Sequence, residues 1–144
     1  FPVEDASVDV VICFEFIEHM PREFAGPVLD GMNRALREGG KLLFSTPNSD
    51  HGKFQEKHHA YEWGFHELSE VLSKRWEIVE SYGTFMRRAT FHRVNRQEKR
   101  LPVEVAHRLE RTLGPTWFRL VGAALYPEWS ESAVWICQKT VNTG

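Results

Sequence analysis

Three ionisable side chains stand close together early in the chain: Glu15, Glu18 and His19, spaced Glu-x-x-Glu-His. If this stretch opens a helix, they fall at i, i+3 and i+4 and share one face. Two carboxylates and an imidazole converging at one place can hold a divalent cation. A fourth ligand is available from His58 or His59, in the polar stretch after Asn48. Simpler roles stand beside this one. His19 can act alone as a base or as a pocket wall. Glu18 can merely favour the positive end of the helix, and a histidine pair in a polar loop is commonly just solvated. A second chemical feature is the basic run over residues 85–100, with Arg87, Arg88, Arg93, Arg96, Lys99 and Arg100. Together with Phe85, Phe91 and His92 it is the mixture that meets a phosphate-bearing or nucleic-acid acceptor. Glu98 interrupts it, and charge runs of this kind are usually solvated faces.

The elements that position these residues alternate. Residues 8–14 (VDVVICF) form a short β-branched apolar run, the pattern of a central parallel strand buried on both faces. Phe24, Val28, Met32 and Leu36 then recur at helical spacing, with Pro27 marking a kink or the first turn. Arg34 and Arg37 suit the last turn, and Gly39 and Gly40 end it. Residues 41–46 (KLLFST) read as a second buried strand, which makes one right-handed β-α-β unit. Pro47 and Asn48 close that strand, and residues 49–59 read as a polar loop. Phe65, Leu68, Val71 and Leu72 mark another helix, and residues 76–82 (WEIVESY) a third strand closed by Gly83. Val103, Ala106, Leu109 and Leu113 continue at helical spacing. Residues 117–125 read as one more apolar helix, and residues 133–138 (AVWICQ) as the last strand. Residues 84–130 look like a helical insertion or lid between the last two strands of a single domain. Trp117, Phe118, Tyr126 and Trp129 would either cover an acceptor pocket or pack as core.

The chain has 144 residues, 42% hydrophobic and 26% charged, with a net charge of -2. That balance gives no global attraction to nucleic acid or membrane. No apolar run approaches the roughly 18 residues of a membrane span, and no signal peptide is visible. Cys13 and Cys137 lie in apolar runs and read as buried free thiols of a cytoplasmic protein.

Phe1, Pro2, Val3, Glu4, Asp5, Ala6, Ser7, Val8 and Asp9 resemble the run that leads into the fourth strand of class I, Rossmann-like S-adenosylmethionine-dependent methyltransferases. The resemblance continues through Glu15, Phe16, Ile17, Glu18, His19, Met20 and Pro21. It includes Glu38, Gly39, Gly40, Lys41, Leu42, Leu43, Phe44, Ser45, Thr46, Pro47 and Asn48. It is close over the first third of the chain and looser beyond. It implies an α/β fold made of strands four to seven of a seven-stranded sheet, the last strand antiparallel beside the fifth and sixth. The first three strands are missing on this scheme, roughly 90 residues at about 30 per β-α unit. No Gly-x-Gly occurs in the sequence, so the family's glycine-rich cofactor loop is absent, as is its ribose-binding acid. With Phe1 rather than methionine at the start, the chain reads as the carboxyl-terminal part of a longer protein. It would bind cofactor poorly and be inactive by itself.

The resemblance implies S-adenosylmethionine as cofactor, with Cys13, Phe14 and Glu15 at its methionine end. It implies His19 and Glu18 as the catalytic pair, transferring a methyl group to a hydroxyl, most simply of a small molecule. His59, Ala60, Tyr61, Glu62 and Trp63 resemble a string in small-RNA terminal ribose 2′-O-methyltransferases. There Glu-x-x-Glu-His plus the later histidine binds magnesium. That implies a magnesium site at Glu15, Glu18, His19 and His59, and RNA as the alternative acceptor. A non-catalytic module remains open, its missing half supplied by another chain or its open strand edge closed in a homodimer. A nicotinamide-dependent enzyme is a third reading, but gives the stretch from Glu15 to Pro21 no ready role.

Overall fold

Four strands form one mixed sheet in the spatial order β1-β2-β4-β3. They are β1 (Val8–Phe14), β2 (Leu36–Pro47), β3 (Glu77–Thr84) and β4 (Ser132–Gln138). The computed structural model describes residues 2–50 and 57–141; residues 51–56 of the expected polar loop, like Phe1 of the leading motif, lie outside them. β1 and β2 are parallel, and β4 inserts antiparallel between β2 and β3. This is the expected arrangement of the last strand.

The register explains which face is dry. Cys13, Phe44, Trp135 and Ser81 lie in one row across the sheet, and Val11, Leu42, Cys137 and Ile78 in the next. Side chains in both rows point to the same face, because alternate residues of a strand share a face. That face carries the main core. It is covered by α1 (Arg22–Ala35) through Ala25, Leu29 and Met32, and by α2 (Phe65–Ser73) through Leu68 and Leu72. The opposite face is open. Val10, Ile12 and Phe14 are 49%, 64% and 50% exposed, and Tyr82 on β3 is also exposed. β1 is therefore not the doubly buried strand its composition suggests; it is an edge strand among the described residues, covered on one face.

α1 differs from the expected stripe by one position. Ala25, Leu29, Met32 and Ala35 are buried, whereas Phe24 is exposed and Val28 only half-buried. Small residues at two of these positions let the helix approach the sheet, which the bulkier Phe24 line would prevent. Pro27 lies inside the helix, where it forfeits one hydrogen bond without ending the run. The helix ends at Ala35, so Arg37, Gly39 and Gly40, expected at its end, lie in β2 where its register with β1 shifts. Gly39 there has φ +73°, and a Cβ on Gly40 would lie 2.8 Å from the Arg37 carbonyl oxygen, so both glycines have a structural reason.

Residues 84–130 build a second core of their own. α3 (Arg88–Glu98) and α4 (Val103–Leu113) contribute Phe91, Val94 and Ala106. The expected helix over residues 117–125 is broken. It comprises a π-helical stretch, Phe118–Gly122, and a single turn, α5 (Ala123–Leu125), after a 3-10 turn at Gly114–Thr116. The widened turn buries both Trp117 and Phe118, consecutive residues that a regular α-helix would separate around its axis. Trp117, Phe118 and Tyr126 are core, and the Trp129 indole donates to Glu98 at 2.9 Å. No helix among the described residues is long and apolar enough to cross a membrane.

Candidate functional site

The carboxyl ends of β1 and β2 lie side by side, the edge where open α/β sheets bind ligands. At the end of β1 the backbone turns sharply. Glu15 has φ +48°, a left-handed conformation that a non-glycine residue adopts only when held there. Its N–H donates to the Ser45 carbonyl at 3.0 Å, and Ile17, 1% exposed, anchors the next turn in the core. The residues that follow form a 3-10 turn, Ile17–His19, not the opening of an α-helix. The convergence of Glu15, Glu18 and His19 comes from this turn and from the Glu15 backbone, not from α-helical spacing.

Glu18 is the fixed point. It is 1% exposed, and its carboxylate accepts the Thr46 hydroxyl at 2.9 Å. Its backbone carbonyl accepts the N–H groups of Ala60 and Tyr61 at 2.7 and 3.1 Å. Those two bonds draw the segment after residue 57 across the sheet edge and bring both histidines into place. His19 donates from Nδ1 to the His58 carbonyl at 3.1 Å. A carbonyl oxygen can only accept, so Nδ1 carries a proton, and in the neutral ring Nε2 is the nitrogen left to accept. His59 is held through Nδ1 by the Glu62 carboxylate at 3.0 Å. The two rings meet edge to face with centroids 5.1 Å apart.

One ligand atom from each of Glu18, His19 and His59 falls within 4.8 Å of the others. Two histidines anchored through Nδ1, one of them by a carboxylate, are arranged as metal-binding histidines are. Glu15, expected beside Glu18, His19 and His59 as one of four ligands, is not in that trio. It lines the same cavity of about 360 Å³ with Glu18, His19, Pro47, His59, Phe85, Glu131 and Ser132. Its carboxylate accepts the Ser45 hydroxyl at 2.8 Å. Loss of water around the Glu15 carboxyl, and then the Glu18 charge, push its pKa upward, against the pull of the Ser45 bond and the two histidines.

Two residues expected at the cofactor's methionine end do not line this cavity. Cys13 is in the main core, its thiol pushed up to about 11 by burial and by Glu18. Phe14 is half exposed on the open face of the sheet. Conversely, Ser45, Thr46 and Asn48, expected only as part of a family-like motif and not as site residues, organise the site. The buried Asn48 side chain donates to the Glu128 and Ser130 carbonyls at 3.0 and 3.1 Å, and accepts from the N–H groups of Asp50 and Phe65. It ties the end of β2 both to residues 84–130 and to α2. A polar Ser-Thr-Pro-Asn run closing an apolar strand was the available signal.

The basic run divides. Arg100 pairs with Glu98 and Glu128 and lies over the Tyr126 ring, and Arg93 lies over Trp129. Arg87 and Arg88 instead line a second cavity.

Residues 1–44 match a family model described as a methyltransferase domain. Over 83 residues the chain is 37% identical to a malonyl-acyl-carrier-protein O-methyltransferase from Paenibacillus sp. (strain JDR-2), a match covering 51% of this chain and 28% of that protein. Among solved structures, the fold is similar to the cyclase SpnF, with a TM-score of 0.59 and 15% identity, covering 99% of this chain and 53% of that one. It is also similar to a SAM-dependent methyltransferase from Archaeoglobus fulgidus, with a TM-score of 0.53 and 13% identity, covering 95% and 62%. The match to the curated relative thus spans about a quarter of that protein's length.

Proposed function

We propose that the chain, similar to methyltransferases over its first 44 residues and in its fold, is part of a class I S-adenosylmethionine-dependent methyltransferase and supplies the acceptor side of a methyl-transfer site acting on a hydroxyl of a small molecule. The observation that carries this reading is the His19 imidazole, fixed through Nδ1 with Nε2 free, beside the buried Glu18 at the ligand-binding edge of the sheet.

When bound, S-adenosylmethionine supplies the electrophilic methyl group. The residues present fit its cationic end: Glu15 and Glu18 offer carboxylates to positive charge in the cavity. The sequence holds no Gly-x-Gly turn for the rest, so on this reading the chain alone binds the cofactor weakly and does not turn over. The strands assigned as four to seven would be completed by the first three. Those strands, or a second copy of the chain, would cover the open edge of β1 and the exposed Val10, Ile12 and Phe14. The buried free thiols Cys13 and Cys137 fit a cytoplasmic setting.

In this scheme His19 Nε2 would accept the acceptor hydroxyl's proton, leaving the oxygen nucleophilic toward the methyl group that departs from the cofactor's sulfur. Glu18 does not touch the proton; held by Thr46, it steadies the turn that carries His19 and favours the imidazolium once formed. Phe85 and Pro47 provide apolar walls that orient the acceptor.

A second reading is favoured by the Glu18, His19 and His59 cluster. A divalent cation there, magnesium for a hard-oxygen acceptor, would lower the hydroxyl's pKa and orient it. The segment from His59 to Trp63 serves to present His59: Glu62 holds its ring, and Trp63 is buried against Tyr61. On this reading the acceptor is a terminal ribose of RNA.

The test is transfer of a labelled methyl group to simple phenols and to RNA 3′ ends by the protein carrying the complete domain. His19→Gln should lower the rate by roughly 10²- to 10⁴-fold. Loss of activity in a chelator selects the metal reading; activity unaffected by chelator selects His19 as base. Unchanged rates in both His19→Gln and Glu18→Gln would refute the site.

A further inference from the structure

A second cavity, of about 550 Å³, adjoins the first and shares Phe85 and Glu131 with it. Its remaining lining is Met86, Arg87, Arg88, Pro115, Phe118 and Arg119. Acidic groups dominate the first cavity, whereas three guanidinium groups face a single carboxylate here.

Those guanidinium groups differ in how they are held. Arg87 reaches Glu131 at 2.8 Å and Arg88 reaches Glu110 at 2.5 Å, yet both side chains remain about two-thirds exposed, at 68% and 65%. Exposed pairs of this kind contribute little and exchange readily for another anion. Arg119 is exposed and has no ion pair among the described residues. The Arg119 position is nonetheless fixed, because its backbone carbonyl accepts the Phe85 N–H at 3.1 Å. Phe85 has φ +60° and Glu131 donates its N–H to the Phe85 carbonyl at 2.9 Å. One strained residue therefore forms the partition between the two cavities and is bonded to both of its sides.

Resting on the hydroxyl-acceptor reading above, we propose that this second cavity binds an anionic group, carboxylate or phosphate, on an acceptor with an apolar body. Arg119, assisted by Arg88 and Arg87, takes the anion by planar paired hydrogen bonds. Phe85, Met86 and Phe118 contact the apolar body, and the reacting hydroxyl extends past Phe85 toward His19. The division of the basic run fits this assignment: Arg93 and Arg100 pack on Trp129 and Tyr126 in the second core, while Arg87 and Arg88 face the cavity.

The experiment is a chemical-shift titration of the isotope-labelled chain with phenyl phosphate, benzoate and phenol, without cofactor or metal. Binding is thereby measured apart from methyl transfer, so a failure of the catalytic reading leaves the result intact. Either anion should bind at least about tenfold more tightly than phenol, with shifts centred on Phe85, Arg88 and Arg119, and should weaken as salt screens the charge. The tighter anion identifies the group carried by the acceptor. Arg119→Ala, at an exposed position, should remove most of that preference, while the control Arg111→Ala should keep it. Equal binding of phenol and both anions, or an Arg119→Ala variant that retains the preference, would overturn the proposal.

Discussion

The Thr46 hydroxyl donates to the Glu18 carboxylate at 2.9 Å, joining the end of β2 to the turn that follows β1, and both residues are almost wholly buried. A buried carboxylate without such partners is costly. Thr46 thus holds in place the acid on which both histidines depend, since Glu18 also receives the N–H groups of Ala60 and Tyr61.

Thr46→Val keeps the shape of the side chain and removes the donor. It should destabilise the fold by about 1–3 kcal/mol, measured by urea unfolding. Thr46→Ser should recover most of that loss. An unchanged midpoint in Thr46→Val would mean that Glu18 finds water in place of Thr46.

Glu15 gives a pH dependence of known sign. Its folded pKa is raised, by loss of water first and by Glu18 next, above the ordinary value of 4.5. The folded state therefore holds its proton more tightly than the unfolded chain does. The stability this contributes is fully present below pH 4.5 and is lost as pH rises through the folded value. Glu15→Gln should flatten the stability profile across that window and leave the chain relatively more stable above it. Unfolding curves at a series of pH values read the difference; identical slopes for both proteins would contradict the assignment.

Gly83 marks where residues 84–130 meet the sheet. A Cβ there would lie 2.3 Å from the Ala123 carbonyl oxygen and 2.5 Å from Ser130 Cβ. A backbone oxygen cannot move aside as the end of a side chain can. Gly83→Ala should cost about 1–3 kcal/mol and should loosen α5 from the sheet, seen as faster amide exchange at Ala123. Wild-type exchange there would show that the close approach is dispensable.

The two thiols should be inert in the native state. Burial pushes Cys13 up to about 11 and Cys137 up to about 12. At mildly alkaline pH neither should react with a thiol reagent until the chain unfolds. Rapid labelling of Cys13 in the folded protein would mean that the core beneath Glu18 is open.

The strands and α2 were legible because their apolar runs are short and bounded by glycine, proline or asparagine. The antiparallel last strand came from the family resemblance, and the register bears it out. The candidate site was legible in its residues but not in its geometry. Glu15, Glu18, His19 and His59 do gather at one cavity, yet through a left-handed residue and a 3-10 turn that sequence spacing cannot reveal. β1 was read as doubly buried because composition records what a strand can pack against, not what is present to cover it. The side chains of Cys13 and Phe14 lie away from the cavity, Cys13 in the main core and Phe14 on the open face, because they still alternate along β1 while Glu15 turns out of it. The aromatic residues from Trp117 to Trp129 were ambiguous between lid and core, since a π-helical widening has no sequence signature strong enough to decide it.

The proposed binding of the methionine end of S-adenosylmethionine at the carboxyl ends of β1 and β2 is read by a chemical-shift titration with S-adenosylhomocysteine. Weak binding is expected, with shifts concentrated at Glu15, Ser45 and Thr46 and diminished in Glu15→Gln. Shifts at the opposite end of the sheet, around Asp9 and Gly40, or none at the Glu15 edge at saturating ligand, would contradict it.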